Sequence, residues 1–552
     1  MFDESGSSCS IILMTAFARR ILPVALCMPL LLATPASAQS APDWKSGATC
    51  YEIFVRSFYD SDGDGIGDLR GLTQKLDYIN DGNPNSTKSL GARCIWLMPI
   101  DASPSYHGYD VTNYYRVNPD YGTSNDFKHL VAAAHKRGIK VLVDLVLNHA
   151  SSEHPYFKEA LRDTASPHRN WFRFATTKPD QKGPWGQQVW HKSPVRDEYY
   201  YGIFTAEMPD LNYENAAVRQ EASDVAKFWL TTMGVDGFRL DAVPYLVEEG
   251  DKLDHTAATH AVLRQFAADV RRIAPNAYTI GEVWDSIGTQ LTYYPDQLDA
   301  YFTFEAADAI LMSVRDGSSK HLLAPLLRMQ SQLPPYRYSP FLRNHDQTRT
   351  MTALGNDMPR ARLAAQLLLT LPGLPYVYYG EEIGMTGDKP DPRLRTPMQW
   401  TPSTAAGFTT GLVWEPLQPD SLTANVKVQD TDRASLLNLY RRLIHLRSTN
   451  SALGAGTLIP LTTSTDAAAA WVRRDGSRMV LVVANLGTTP LSNVALSSAV
   501  GGLSAGIFRM RELLAGGTVG DVTVERGGNL RDYVPMSALA PMQAYIFELT
   551  PR

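Results

Sequence analysis

The sequence lacks both an excess of basic residues and a repeated or low-complexity tract. Its 552 residues include 52 Lys and Arg against 57 Asp and Glu, which gives a formal net charge of -5. Nucleic-acid-binding proteins usually present basic patches, so this composition argues against nucleic acid as a partner. A globular composition of this length predicts two or three domains.

A long hydrophobic run is also missing. The apolar stretch ILPVALCMPLLLA near the N-terminus is too short to span a bilayer comfortably. It follows the basic stretch FARR and precedes the small-residue site ASA, which is the order of a secretory signal peptide. Met14 would start a signal of more usual length. The alternative is an uncleaved membrane anchor, and Leu26 before Cys27 argues against a lipid-attachment site. Residues 1–38 are therefore predicted to be a signal peptide, and the mature protein is expected to be secreted or periplasmic, without a stable membrane anchor.

Cysteine is scarce, with four residues in the whole chain. Cys9 and Cys27 lie in the predicted signal peptide, which leaves Cys50 and Cys94 in the mature protein. In an oxidising compartment these two can pair. Both stand at the start of predicted strands, however, and directly opposed residues on adjacent parallel strands rarely have disulfide geometry. The sequence leaves two alternatives open, a disulfide or two buried free thiols.

Short apolar runs recur along the chain and are separated by longer amphipathic segments such as SNDFKHLVAAAHKRG. Continuous apolar strands that alternate with helices indicate parallel strands buried on both faces. Eight such runs fit a (β/α)8 TIM barrel, an α/β fold. The predicted strands are 51–58, 94–99, 139–146, 235–240, 278–283, 299–304, 339–343 and 374–379.

The spacing of these runs predicts the domain organisation. The interval after the third run is abnormally long and rich in His, Pro, Trp and Tyr, so residues 150–215 are interpreted as an inserted subdomain. Near the C-terminus the pattern changes to short strands with turns, which indicates an antiparallel β-sandwich at 451–552. The barrel is expected to occupy 39–149 and 216–450.

Polar residues follow the apolar runs where barrel strands should end. In a TIM barrel the chemistry is located at the C-terminal ends of the strands. Taken singly, each residue has an ordinary structural interpretation, such as a helix cap, a surface ion pair or a hydrogen-bonded core histidine. Carboxylates, two histidines and an arginine on one rim are together typical of a catalytic site. The residues at or just after the ends of the third, fourth, fifth and seventh runs are Asp144, Asn148, His149, Arg239, Asp241, Glu282, Asn344, His345 and Asp346.

These segments resemble the signature regions of the α-amylase superfamily of glycoside hydrolases, family 13. The stretches YEIFVRSFYDSDGDGIGDL, YHGYDVTNYY, MPDLN and RTPMQW strengthen the resemblance, which extends from about residue 45 to the chain end. MPDLN is similar to the subgroup between oligo-1,6-glucosidases and neopullulanases, which includes bacterial α-amylases. The resemblance implies an enzyme that acts on α-glucans or maltooligosaccharides, with a monomer as the expected state.

The resemblance implies that Asp241 is the nucleophile, Glu282 the general acid/base and Asp346 the carboxylate that stabilises the transition state. General chemistry agrees, because hydrolysis with retention needs one ionised carboxylate to attack the anomeric carbon and one protonated carboxyl to donate to the leaving oxygen. Arg239 precedes Asp241 by two residues on the same strand, so it points to the same face and can keep the nucleophile ionised. A neighbouring carboxylate would raise the pKa of Glu282.

The stretch DSDGDGIGDL places Asp on alternate residues between glycines, a pattern that can wrap oxygen ligands around a hard cation. It is not an EF-hand, because position twelve is Gly71 and the preceding segment is a predicted strand. The resemblance implies a structural Ca²⁺ instead. The alternative is an Asp/Gly turn that caps the next helix without metal. The implied ligands are the side chains of Asp60, Asp62, Asp64 and Asp68 and the carbonyl of Ile66.

The resemblance also implies a sugar-binding surface, in which His149 and His345 bind hydroxyls and Tyr109 forms an aromatic floor. Exo-acting relatives place an Asp three residues before that tyrosine, and it pairs with the arginine of RTPMQW. The residues that decide this point here are Tyr106, His107 and Arg395. A phenol cannot supply the anion of that pair near neutral pH. Cleavage of internal α-1,4 bonds is therefore expected, with Tyr106 and His107 free to contact a further sugar.

One feature favours a different specificity. Asp241 is followed by AVPYL, which lacks the Lys-His pair that many α-amylases use on the leaving-group side. An α-glucosidase or transglucosidase acting on short maltooligosaccharides is therefore the main alternative. A non-catalytic carbohydrate-binding relative is a remote alternative, because such relatives usually lack one or more of the three carboxylates.

Overall fold

Eight short parallel strands form the centre of the molecule. The computed structural model describes residues 43–498 and 501–552, so the predicted signal peptide at 1–38 lies outside the described residues. Each strand overlaps one of the apolar runs of the sequence, although the seventh strand shares only Ser339 with its run. The strands are β1 (Cys50–Ile53), β2 (Cys94–Leu97), β3 (Lys140–Leu145), β4 (Gly237–Leu240), β5 (Tyr278–Gly281), β6 (Ala300–Phe302), β7 (Tyr338–Ser339) and β8 (Tyr376–Tyr378).

The sheet curls into a nearly closed barrel. Its strand order is β7-β6-β5-β4-β3-β2-β1-β8, so every strand except β8 follows its predecessor in the chain. Beyond the paired ladders, the amide of Leu374 donates to the carbonyl of Tyr338 at 3.1 Å, which brings the segment before β8 to the end of β7. The strands are buried on both faces, as parallel strands between helices must be. The predicted TIM-barrel fold is confirmed.

Helices surround the barrel and follow its strands. Ser124–Lys136 is representative: Thr123 and Asp126 form a capping box at its start, and Phe127, Leu130, Val131 and Ala134 bury one face. The main helices after successive strands are Leu69–Gln74, Ser124–Lys136, Ala216–Lys227, Ala257–Ile273, Ile287–Leu291, Phe304–Asp316, Met358–Thr370 and Leu436–Thr449. Shorter helices are Leu76–Ile79, Pro155–Arg162, Ala324–Gln330, Thr350–Ala353, Asp391–Leu394, Val426–Thr431 and Ser451–Ala455.

Cys50 and Cys94 form a disulfide. They are direct register partners on β1 and β2, with their Cα atoms 4.4 Å apart. Both are fully buried. They occupy the first residues of their strands, at the end of the barrel away from the strand C-termini. Of the two alternatives that the sequence leaves open, the structure shows the disulfide.

The long interval after β3 contains a small subdomain. It consists of Pro155–Arg162 and a three-stranded antiparallel sheet of Phe174–Ala175, Trp190–Lys192 and Tyr199–Tyr201. The chain returns to the barrel where the amide of Leu211 donates to the carbonyl of Asn148 at 2.9 Å. The insertion therefore stands over the C-terminal end of β3.

The C-terminal domain is an antiparallel β-sheet. Its seven strands are Thr457–Thr463, Ala468–Asp475, Arg478–Asn485, Leu496–Ser497, Gly506–Glu512, Thr518–Val524 and Gln543–Pro551. A smaller two-stranded sheet pairs Leu491–Ser492 with Ala538–Leu539. Gln366 from the barrel exchanges two hydrogen bonds with the backbone of Ala544, at 3.0 and 3.1 Å. Among the described residues, no helix combines the length and apolarity needed to cross a membrane.

Candidate active site

One buried arginine gathers carboxylates at the end of the barrel. The guanidinium of Arg239 in β4 is surrounded by acids from three neighbouring strands. Its Nη1 donates to Asp144 Oδ1 at 2.9 Å and to Asp241 Oδ1 at 2.6 Å. Its Nη2 donates to Glu282 Oε2 at 2.6 Å. Because β3, β4 and β5 are adjacent and parallel, residues far apart in the sequence share one cation.

Burial raises the pKa of two of these acids. The pKa of Glu282 rises to about 7, because burial disfavours the anion and, together with repulsion from Asp241 and Asp346, exceeds the attraction of Arg239. Burial and the charge of Asp241 likewise raise the pKa of Asp144 to about 7 despite Arg239. A carboxyl group with such a pKa can hold a proton near neutral pH, which donation to a leaving oxygen requires.

Two cationic groups keep Asp346 ionised, in contrast to Glu282 and Asp144. Arg395 Nη2 donates to its Oδ1 at 2.8 Å, and His345 Nε2 lies 3.2 Å from its Oδ2. Burial alone would raise the pKa of Asp346, but the charges of His345 and Arg395 hold it well below its usual range. Burial opposes the charge of His345 as well, yet Asp346 and Glu52 raise its pKa to about 9. The carboxylate of Asp346 is therefore an anion.

Tyr109 and the histidines around it form the floor of the site. The Tyr109 hydroxyl lies 2.5 Å from His345 Nε2 and donates to Asp144 Oδ2 at 3.2 Å. Its ring stacks on those of His345 and His107, with centroids 5.6 and 6.1 Å apart. His149 Nε2 lies 3.0 Å from the Tyr109 carbonyl oxygen. Burial lowers the pKa of His107 and of His149, so their neutral rings offer hydrogen bonds to hydroxyl groups.

The site opens into a cleft of about 530 Å³. Arg239 and His345 lie beneath its surface and are buried. Tyr106 is not part of the lining, because its ring stacks on that of Trp414 with centroids 5.5 Å apart. The predicted residues that line the cleft are His107, Tyr109, His149, Asp241, Glu282, Asp346 and Arg395.

Arg395 has acidic partners, and neither comes from the stretch around Tyr106. It forms an ion pair with Asp346 at 2.8 Å and approaches Asp391 Oδ2 at 3.8 Å. Its guanidinium carbon lies 5.8 Å from the centroid of the Tyr106 ring. Position 106 therefore contributes an aromatic contact to Arg395 and no ion pair across the cleft.

A protein-family model described as Alpha amylase, catalytic domain, matches residues 52–456, more than half of the chain. The chain belongs to the α-amylase family of glycoside hydrolases. It is 38% identical over 448 residues to Alpha-amylase 3 of Dictyoglomus thermophilum, covering 80% of this chain and 85% of that protein. It is 36% identical over 492 residues to Trehalose synthase/amylase TreS of Mycolicibacterium smegmatis, covering 78% and 80%. The crystal structure of α-amylase from H. orenii has 38% identity and a TM-score of 0.78, covering 92% of this chain and 100% of that one.

Relatives in the α-amylase family thus carry both amylase and trehalose synthase names. Family membership establishes a glycoside hydrolase or transglucosidase. The specificity, meaning which bond is cut and whether water or a sugar receives the glycosyl group, depends on the walls of the cleft.

Sequence reasoning missed several residues of this α-amylase-family site. Glu52, on β1, sits inside an apolar run, and only the fold shows that it holds His345 Nδ1 at 2.6 Å. Two tryptophans of the cleft wall, Trp185 and Trp284, are 60% and 56% exposed. Their signal was an aromatic residue in a turn-rich loop and another two positions after Glu282. The remaining unpredicted lining residues are Phe204, Thr205, Met208, Ala242, Pro244, Tyr245, Lys389 and Asp391.

The acidic loop after β1 brings three carboxylates together. Oxygen atoms of Asp60, Asp62 and Asp68 lie within 4.8 Å of one another. Asp64 lies outside this triplet, and its Oδ1 accepts from the amide of Ile66 at 2.7 Å. Among the described residues, none of the three makes an ion pair with a basic side chain. Converging carboxylates without a protein cation form a possible metal-binding cluster.

The backbone around this cluster is tightly packed. Asp60 Oδ1 accepts from the amides of Asp62 and Gly63 at 3.0 and 2.7 Å, and Oδ2 accepts from Gly65 at 2.8 Å. Gly65 has a φ of 95°, and a Cβ there would lie 1.8 Å from the Leu412 carbonyl. Asp68 also caps the following helix by accepting from the Gly71 amide at 2.7 Å. Asp68 therefore makes the helix-capping contact expected of an Asp/Gly turn without metal, and it also belongs to the carboxylate cluster.

Proposed function

We propose that the protein hydrolyses internal α-1,4-glucosidic bonds of starch and maltooligosaccharides, with retention of configuration at the anomeric carbon. The observation that supports internal cleavage is the placement of Arg395. Its charge is directed to Asp346 and Asp391, and no ionised partner at position 106 closes the cleft. A groove without that ion pair leaves room for sugars on both sides of the bond that breaks.

Asp241 acts as the nucleophile in this proposal. Its carboxylate attacks the anomeric carbon and forms a glycosyl ester, while Glu282 gives its proton to the leaving oxygen. Glu282 then takes a proton from water, which attacks the ester and releases Asp241. The support is that both carboxyl groups bind one guanidinium from adjacent strand ends, and that Glu282 has a raised pKa.

The surrounding residues have supporting roles. The anion of Asp346 stabilises positive charge that develops on the sugar ring, and His149 binds a hydroxyl group. His345, which is buried beneath the cleft, positions Asp346 and Tyr109 instead. Tyr109 provides the flat surface below the ring. The proposal rests on their positions around one cleft and on the short contact between Tyr109 and His345.

A transglucosidase or α-glucosidase acting on short maltooligosaccharides is the second candidate. The stretch AVPYL after Asp241 lacks the Lys-His pair that many α-amylases use on the leaving-group side. A relative at 36% identity carries the name trehalose synthase/amylase. Both observations concern the side of the cleft that receives either water or a sugar.

We propose Ca²⁺ for the acidic loop, held by Asp60, Asp62 and Asp68, with Asp64 and the Ile66 carbonyl as the further ligands that the family resemblance implies. Hard oxygen donors on a short loop suit this cation. When bound, it would neutralise the converging charges and stabilise the rim of the barrel.

We also propose that the mature chain works outside the cytoplasm, in the periplasm or the medium. The signal-like segment before residue 39 and the disulfide between Cys50 and Cys94 support this location. Mass spectrometry of the protein recovered from a periplasmic fraction or the medium should give an N-terminus at Gln39. Recovery of the intact chain only from the cytoplasm would contradict export.

The experiment that tests the function is a time course on soluble starch with the purified mature chain. Internal cleavage should produce a ladder of maltooligosaccharides and a rapid loss of iodine colour before much glucose appears. Release of glucose alone, with the polymer length nearly unchanged, would favour the second candidate. No release of any sugar would favour the non-catalytic relative.

A further inference from the structure

Glu52 is a buried carboxylate to which the proposed mechanism gives no role. It lies in β1, where Trp96 of β2 and Tyr378 of β8 are its register partners, and it is 2% exposed. Among the described residues, His345 is the basic side chain with which it forms an ion pair, at 2.6 Å from Oε1 to Nδ1. A buried carboxylate without a cationic partner is costly, so the stability of Glu52 depends on this contact.

His345 presents each of its two ring nitrogens to an acid. Nδ1 faces Glu52, and Nε2 lies 3.2 Å from Asp346 Oδ2 and 2.5 Å from the Tyr109 hydroxyl. A neutral imidazole has one N–H and one lone pair, so it would turn the lone pair toward one of the two carboxylates. The imidazolium has an N–H for each acid. The geometry therefore fits the doubly protonated ring.

The ring of His345 is held in this orientation by its surroundings. The side chain is fully buried and packs against the rings of Trp96 and Tyr109, with centroids 5.6 Å away in both cases. Its backbone carbonyl accepts from Arg395 Nε at 3.0 Å. The two nitrogens therefore keep facing their acids when no substrate is bound.

The tyrosines near Glu52 do not share its charge. Burial, with a contribution from Glu52, raises the pKa of the Tyr376 and Tyr378 hydroxyls well above the usual value, so both stay neutral. The charge of Arg395 is directed to Asp346, at 2.8 Å. The titratable and charged groups around His345, apart from Glu52, are Tyr109, Asp144, Glu282, Asp346 and Arg395.

The charge of His345 acts on the acids of the site. Burial opposes this charge, but Asp346 and Glu52 raise the pKa of His345 to about 9. Burial in turn raises the pKa of Glu282 and of Asp144 to about 7, and the charge of His345 opposes the rise in both. Glu52 lies on the far side of the ring from Asp346, so the positive charge is the nearer one.

We propose that Glu52 is a positioning residue that keeps His345 protonated on both ring nitrogens and so places a fixed positive charge behind Asp346. The roles of Asp346 and Glu282 in this inference rest on the proposed function. Glu52 accepts from Nδ1–H, and the second proton lies on Nε2, which donates to Asp346. The carboxylate of Asp346 thereby stays ionised and oriented, and the pKa of Glu282 stays below the value that burial alone would set.

The first measurement is the protonation state of His345, by nitrogen NMR on the mature chain with isotope-labelled histidine at about pH 8. Loss of its signals in His345→Asn identifies them. In the unaltered chain both ring nitrogens should be protonated, because this pH lies below the raised pKa of His345. In Glu52→Gln one nitrogen should be unprotonated. Gln keeps the size and a hydrogen bond but removes the anion, which should lower the pKa of His345 by about 1–3 units.

The second measurement is the pH dependence of kcat/KM on maltopentaose. Glu52→Gln should move the alkaline limb that reports Glu282 to higher pH by about one unit, because a positive charge that favours the Glu282 anion is lost. A purely structural role of Glu52 would lower the activity without moving this limb.

Two variants separate charge from packing. Glu52→Asp keeps an anion behind the ring, so it should stay closer to the unaltered chain than Glu52→Gln in both measurements. Tyr376→Phe removes a buried hydroxyl group from the adjacent strand β8 and changes no charge. It should leave the signals of His345 and the alkaline limb unchanged.

An unprotonated ring nitrogen of His345 in the unaltered chain at about pH 8 would overturn the inference before any variant was made. So would an imidazolium that persists in Glu52→Gln, an alkaline limb that does not move, or equal shifts in Glu52→Asp and Glu52→Gln. If Glu52→Gln did not fold, the unaltered chain and Glu52→Asp would still decide. An imidazolium at His345 in a chain that turns over no maltopentaose would contradict the proposed function and leave the charge pair standing.

Discussion

Arg239 organises the site at the level of single residues. Its guanidinium contacts Asp144, Asp241 and Glu282 within 2.9 Å of each. One cation cannot fully offset three carboxylates clustered around it, so at least one acid is driven toward its protonated form. Glu282 has the raised pKa that this role needs. In the proposed mechanism, the division into nucleophile and acid would therefore follow from the positions of Asp241 and Glu282 around one arginine.

Replacing either Asp241 or Glu282 should reduce turnover by orders of magnitude and leave a folded chain. Glu282→Gln removes the transferable proton and should reduce kcat/KM on maltooligosaccharides by about 10²–10⁴-fold. Asp241→Asn removes the nucleophile and should reduce it at least as much. Circular dichroism and thermal unfolding would check the fold. Near-normal starch hydrolysis by either variant would contradict the assignment.

The pH dependence of kcat/KM should report the acid. Because the pKa of Glu282 is raised to about 7, the protonated form is lost as the pH rises through that value. Activity on maltopentaose should fall on this alkaline limb. α-Maltosyl fluoride needs no proton donor for its leaving group, so its kcat/KM should lack the limb. The same alkaline limb on both substrates would assign the titration to another group.

At the scale of elements, whether a feature could be predicted from the sequence depended on where it lies relative to the strands. Each barrel strand is a continuous apolar run because it is buried on both faces, and Asp241, Glu282 and Asp346 each follow such a run. Glu52 lies within a run and gave no comparable signal. Trp185 could not be placed, because its contact with Tyr245 depends on how the subdomain folds back over β4.

The loop after β1 provides a prediction at this scale. If Ca²⁺ binds the folded state only, saturating metal stabilises it by mass action, about 2.7 kcal/mol at a hundred times the dissociation constant. Excess EDTA should therefore lower the Tm. Asp62→Asn is the matched variant, because Asp62 is exposed and accepts only one weak bond, from Asp64 at 3.3 Å.

In that variant EDTA should change the Tm less than in the unaltered chain, and kcat on starch should change little in both. An unchanged Tm after confirmed removal of metal would count against a cation in the loop. The cluster would then act as a helix cap alone, through Asp68 and Gly71.

The disulfide between β1 and β2 offers a second test on elements. It closes a loop with a sequence separation of 44 residues. Replacing both cysteines in Cys50→Ala/Cys94→Ala should destabilise the protein by about 2–4 kcal/mol through the gain in unfolded-chain entropy. Denaturant unfolding would measure it. A reductant should destabilise the unaltered chain and leave the double variant unaffected, and equal stability of the two chains would show that the bond does not form.

At the scale of the whole molecule, the barrel and the C-terminal sheet share contacts. One face of the sheet contributes Trp471, Val480 and Ile546 to the cluster that includes the outer barrel helices, while the other face builds its own core. Arg473 donates to the Thr370 carbonyl at 2.7 Å across this boundary. The sequence predicted a separate β domain. Which of its side chains face the barrel and which face the domain's own core became clear only from the strand register.

The central claim is that the cleft stays open beyond the cleaved sugar. It rests on the absence of an acid at position 106 and on Arg395, which lies 2.8 Å from Asp346. The most direct measurement uses a maltoheptaoside blocked at its non-reducing end, with the unblocked sugar as the control, and follows the fragments over time. We predict that the blocked sugar is cut internally into shorter oligosaccharides. A blocked sugar that stays intact while the unblocked one releases glucose would contradict this account.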